Sequence, residues 1–214
     1  MKRLPIAVAT CCLLCFQAGE CSAAIGFADV VLDFFDSGAG PIAGPYGGTY
    51  PDGPGFPISV SLDVVLGSDP GPTGYQDFLS LPTGSYVTVG FTDETAIDGP
   101  GDDIFVREIG GNGERADVFV SADLLDFVFL GTAIDNSTTA FDLASIGFTG
   151  LVQGVKIVGL DNGGDSPGFD VVNVEVLPGS VGPAVIPEPS AFLTWSGLLG
   201  LGLIGGWWRR KRRP

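Results

Sequence analysis

The sequence predicts an all-β protein: one jelly-roll-like β-sandwich, preceded by an N-terminal signal peptide and followed by a C-terminal transmembrane helix. Three observations carry this. Glycine and proline are abundant, 34 and 16 of 214 residues, yet 45% of the chain is hydrophobic, so many turns separate apolar segments that still suffice for a core. Apolar residues of the body alternate with polar ones at period two, and no stretch there sustains a 3.6-residue period. The basic residues gather at the two ends, around apolar runs that do not belong to the body.

Residues 1–24 read as a secretory signal. Lys2 and Arg3 precede the apolar stretch 4–16, and Ser22, Ala23 and Ala24 offer a cleavage site before Ile25. All four cysteines (Cys11, Cys12, Cys15, Cys21) lie inside it, so the mature chain is expected to hold no disulfide and no cysteine-bound metal. Histidine is absent, which excludes Ser-His-Asp and Cys-His nucleophiles and histidine-ligated zinc.

Residues 25–178 are assigned to the sandwich. Ile58, Val60, Leu62, Val64 and Leu66 alternate with mostly polar neighbours, as do Val87, Val89 and Phe91, and Val172, Val174 and Val176. Apolar runs at 104–106, 118–120, 127–130 and 155–158 add strands, with Gly/Asp/Pro turns at 83–84, 98–101, 110–113 and 161–168. Residues 143–146 suggest a single helical turn, 38–55 a long loop, and 179–185 a linker.

Residues 191–208 are an uncharged run that, as a helix, covers about 27 Å, enough for a thin bilayer or an untilted span. Trp207 and Trp208 fit an interfacial belt, and the stop cluster Arg209, Arg210, Lys211, Arg212 and Arg213 is expected to stay cytoplasmic. Pro187, Glu188 and Pro189 stand just before the run, where the prolines keep the backbone extended. This order, from residue 186 to residue 214, resembles the PEP-CTERM sorting signal of proteins exported by Gram-negative, biofilm-forming bacteria. The resemblance implies an exosortase as partner, with removal of the anchor near Pro-Glu-Pro after the signal peptidase has acted at the other end.

The net charge of −15 understates the body, where 23 acidic residues face only Arg107, Arg115 and Lys156 between positions 25 and 185. So acidic a surface repels phosphate backbones and excludes nucleic acid as a partner. Asp98, Asp102 and Asp103 crowd one Gly/Pro loop; Asp161 and Asp165, with Asp170, crowd another. Calcium takes six to eight oxygens, and such loops supply carboxylates and free carbonyls together, so these six are the candidate metal ligands. Asp and Gly are equally the preferred turn formers, which would explain the same loops without an ion. No cofactor is required. Residues 65–67, 78–81, 87–91 and 97–108, then 116–121, 141–143, 155–160 and 168–172, together resemble an uncharacterised β-sandwich module of bacterial secreted and cell-surface proteins, most specifically in the element Asp98-Gly99-Pro100-Gly101-Asp102-Asp103 and the strand ending in Glu108.

A carboxylate pair is the remaining enzymatic chemistry. Asp170 and Glu175 are five apart and so fall on opposite faces of a strand, and all three tryptophans lie in the C-terminal run. The sequence therefore points to a non-enzymatic protein, exported through the inner membrane, held there transiently by its C-terminal helix, then sorted to the cell surface or matrix. A structural or adhesive role in a biofilm matrix is expected, with polysaccharide or other surface proteins as partners. The alternative is a calcium-dependent glycan-binding module.

Overall fold

The computed structural model describes residues 26–51, 55–68, 75–135 and 137–183. The expected signal peptide, the Pro187-Glu188-Pro189 element, the 191–208 run and the basic cluster lie outside the described residues. Among the described residues no helix is long and apolar enough to cross a membrane.

Thirteen strands follow in order among the described residues: β1 (Val30–Phe35), β2 (Tyr46–Tyr50), β3 (Ile58–Ser59), β4 (Gln76–Leu81), β5 (Tyr86–Gly90), β6 (Glu94–Ala96), β7 (Ile104–Glu108), β8 (Arg115–Ser121), β9 (Val128–Ile134), β10 (Thr138–Phe141), β11 (Gly154–Gly159), β12 (Phe169–Val176) and β13 (Val181–Pro183). They form a five-stranded sheet, β1-β5-β11-β8-β9, and a six-stranded sheet, β10-β7-β12-β4-β2-β3, with β13 and β6 paired apart from both. The pairings within both sheets are antiparallel. The all-β sandwich read from the sequence is the fold.

Period-two alternation builds the core. Val87 and Val89, Val155 and Ile157, and Val118 and Val120 are fully buried from one sheet; Leu79 and Leu81, Ile104 and Val106, and Val171 and Val174 are fully buried from the other. Each such side chain contributes about 1.5–3 kcal/mol over its exposed state. The segments β4/β5, β7/β8 and β11/β12 each step from one sheet to the other. Because neighbours run antiparallel, their connecting loops (82–85, 109–114 and 160–168) all emerge at the same end of the sandwich. The β6–β13 pair and residues 97–103 lie at the opposite end.

Three local expectations are corrected. The alternation at 58–66 is a strand only over Ile58–Ser59; Ser61 then caps a 3-10 turn, Leu62–Val65, its hydroxyl accepting from the Asp63 N–H. A hydroxyl at a turn entry offers the backbone a partner that the ladder would otherwise supply. Residues 46–50, inside the stretch read as a loop, are β2, paired with β4. Part of the linker is β13, with Val181 opposite Ala96 and Gly182 opposite Thr95.

Candidate functional site

At the end where the three loops gather, two glutamates continue the inward phase of their strands. In β7, Ile104 and Val106 point to the core and Glu108 follows in the same alternation; in β8, Ala116, Val118 and Val120 point inward and Glu114 precedes them in phase. The Gly-rich loop 109–114 carries the chain between the sheets, so the two carboxyls meet at the rim of the interior. Asp170, at the start of β12, joins them from beside β4. Carboxylate oxygens of Glu108, Glu114 and Asp170 all lie within 4.8 Å of one another, and the three residues are only 4%, 1% and 7% exposed.

Small residues make room for this. A Cβ on Gly110 would fall 2.5 Å from Glu108 Oε1 and 2.9 Å from Glu114 Oε2, and a Cβ on Gly164 would collide with Glu114 Oε1. Gly164 also holds φ of +83°, which an L side chain resists. Ser80 Oγ donates to Asp170 Oδ1 at 2.5 Å and lies 2.7 Å from Ser166 Oγ. Tyr46 donates its hydroxyl proton to the Pro167 carbonyl at 2.5 Å, tying β2 to the 160–168 loop.

The electrostatics follow from burial among like charges. Asp170 is pushed up to about 9, by burial first, while the Ser80 hydrogen bond pulls down and the charges of Glu114, Glu108 and Asp161 push up. Glu114 rises to about 7, again by burial first and then by Asp161, against hydrogen bonds with Glu108 and Asn112. Beside the cluster opens a cleft of about 240 Å³, lined by Tyr50, Phe56 and Phe78 together with Asp165 and Asp170. Phe56 meets Phe78 edge to face, with ring centroids 5.7 Å apart.

The six sequence-derived ligands are divided between the two ends. Asp98 and Asp103 do come together, joined by Asp142. Asp103 is fully buried and its oxygens are engaged: Oδ1 accepts from Gly99 N at 2.8 Å and Ser180 Oγ at 2.5 Å, and Oδ2 from Leu143 N at 2.7 Å. Asp142 caps the 3-10 turn Leu143–Ile146 by accepting from Ala144 N. Asp102 is exposed and stands outside this group. At the loop end, Asp161 accepts from the backbone N–H groups of Arg115 and Gly163, exposed Asp165 lines the cleft, and only Asp170 enters the buried cluster. Asp103 and Glu108 bracket β7 from opposite ends, about 16 Å apart along the strand, so no loop folds one back toward the other. Glu114 was not singled out in the sequence; its signal was a glutamate in the inward phase of a strand.

Comparison with known proteins bears on the C-terminus. Residues 185–213 match the PEP-CTERM protein-sorting motif. The PEP-CTERM match begins two residues after β13 and marks an exported protein that is sorted at the membrane by an exosortase. No curated protein matches the chain. Among solved structures it is similar to a glycoside hydrolase family 43 arabinoxylan arabinofuranohydrolase from Bacillus subtilis in complex with cellotetraose, at 18% identity and a TM-score of 0.34. That likeness covers 51% of this chain and 22% of the hydrolase, so the chain spans well under two thirds of that protein and takes no activity from it.

Proposed function

We propose that this is a non-enzymatic structural or adhesive protein of the cell surface or biofilm matrix of a Gram-negative bacterium, whose acidic sandwich is released from a transient membrane anchor. The PEP-CTERM match directly after the last strand carries the reading. The burial of Glu108 and Glu114 under glycine loops supports a non-enzymatic role, because a reacting bond needs open access to its acid and base. Signal peptidase acts at the N-terminus and the exosortase near Pro-Glu-Pro; matrix polysaccharide and other surface proteins are the partners. Intact-mass measurement of the exported chain tests this. The expected product lacks residues 191–214, and replacing Pro187, Glu188 and Pro189 together by alanine is expected to leave the full C-terminus in the membrane fraction. An exported wild-type product that retains those residues would overturn it.

One observation favours a second reading, a glycan-binding module. Tyr50, 44% exposed, stands with Phe56 and Phe78 in a cleft that also offers Asp165 and Asp170, the mixture of apolar faces and acceptors that a sugar requires. Calorimetric titration with matrix polysaccharide separates the two. Saturable binding that Tyr50→Ala abolishes would select the glycan reading, and a flat trace the structural one.

A further inference from the structure

We infer that Glu108, Glu114 and Asp170 form a calcium site that fastens the two sheets together at the loop end of the sandwich. The inference stands on geometry and is independent of where the protein is sorted. Two ligands of one calcium ion, each bonded at about 2.3–2.6 Å, can be no more than about 5 Å apart. Oxygens from the three side chains meet that limit pairwise, at 4.8 Å or less. They come from three segments: the end of β7, the entry to β8, and the start of β12. An ion there would tie one sheet to the other across the 109–114 crossing.

A second observation points to a ligand and not merely to acidity. Glu114 is 99% buried, since only 1% of it is exposed, and its Oε2 has no hydrogen-bond partner. That oxygen is directed at the space beside Gly110, the same space that Glu108 Oε1 borders. A buried carboxylate oxygen without a donor is costly, and so is the mutual repulsion of carboxyls gathered in one buried cluster. A divalent cation satisfies both, and Gly110 keeps the position free of any side chain. An all-oxygen donor set suits calcium; magnesium is smaller and demands near-ideal octahedral geometry.

The test uses the exported chain, stripped with chelator and titrated with calcium chloride, followed by calorimetry and thermal unfolding. The expected result is one calcium per chain and a rise in Tm of about 5–10 °C at calcium a hundredfold over Kd. Glu114→Gln keeps the size of the side chain and removes the charge, so it is expected to fold and to lose both the heat and the shift. Asp102→Asn, outside the cluster, is expected to keep both. No heat and no shift in the wild-type chain would overturn the inference. So would full binding by Glu114→Gln, or binding that Glu114→Gln retains and Asp98→Asn loses, which would place the ion at the opposite end.

Discussion

Asp103→Ala is expected to lower stability by about 4 kcal/mol or more, since hydrogen bonds to a charged group are worth about 1.5–3 kcal/mol each and the donors left behind are buried. The carboxylate accepts from Gly99 N, Leu143 N and Ser180 Oγ, and is itself 0% exposed. Its backbone adds to the junction: Asp103 N–H donates to the Phe141 carbonyl at 2.8 Å, and its own carbonyl accepts from Leu177 N at 2.9 Å. One residue thus joins the 98–101 loop, the 3-10 turn and the segment leading to β13. A loss of this size removes a large part of the total stability of a typical domain and lowers Tm by about 8–16 °C. Circular dichroism melts of the exported chain would show it. Ser180→Ala, which removes one donor and leaves the carboxylate its two backbone partners, is expected to cost only about 1–2 kcal/mol. The same measurement distinguishes a structural aspartate from a calcium ligand. A ligand's removal would cost stability only in calcium and relieve repulsion in chelator; the Asp103→Ala loss is expected to be equal in both.

What the sequence made legible depended on how far one residue's role could be read from its neighbours. Val87, Val89, Val118, Val120, Val155 and Ile157 declared their strands because alternation is a local property of the chain. Residues 46–50 are hidden because the stretch 38–55 is crowded with proline, a strand breaker. Gly47 lies in β2 so close to β4 that a Cβ would strike the Phe78 carbonyl, and Gly48 faces the rings of Phe56 and Phe78. There the absence of a side chain serves packing, and only the partner strand reveals it. The acidic loops show the converse. Density of aspartate marked turn chemistry: Asp161 and Asp142 accept backbone N–H groups in their own turns, as exposed Asp123 does from Leu125 and Asp126. The buried cluster instead uses glutamates from two strands. Each was visible as a charge in the inward phase, but which charges would meet was decided by the 109–114 crossing and by the β12 bulge between Val171 and Asn173.

Glu94→Gln is expected to stabilise the protein in mild alkali and to do almost nothing in acid. Glu94 sits in β6 at the end opposite the carboxylate cluster, 3% exposed, with Oε1 accepting from Gly26 N at 2.6 Å. Burial first, and then the Asp93 carboxyl beside it, push it from 4.5 up to about 7, with Asp29 adding a smaller repulsion and the Gly26 N–H pulling down. Between those two values the native chain holds a proton that the unfolded chain has lost. Its stability is therefore full below 4.5 and falls as pH rises through about 7, where the buried carboxyl must ionise. Glutamine retains the acceptor for Gly26 and has no proton to lose. The gain is expected to be near zero at about pH 4.5 and about 2–3 kcal/mol at about pH 8.5, or a Tm rise of about 4–12 °C. Melts of both chains across that range would show the curves diverging as pH rises, and a constant offset would mean that this carboxyl does not titrate there. In calcium-free buffer the wild-type decline is expected to continue to about pH 9, because Asp170 is raised in the same direction. The difference between the two chains should be the same with and without calcium. Glu94 lies beyond the full length of the strands from Glu108, Glu114 and Asp170, and an ion at one end of the sandwich leaves a proton at the other end untouched.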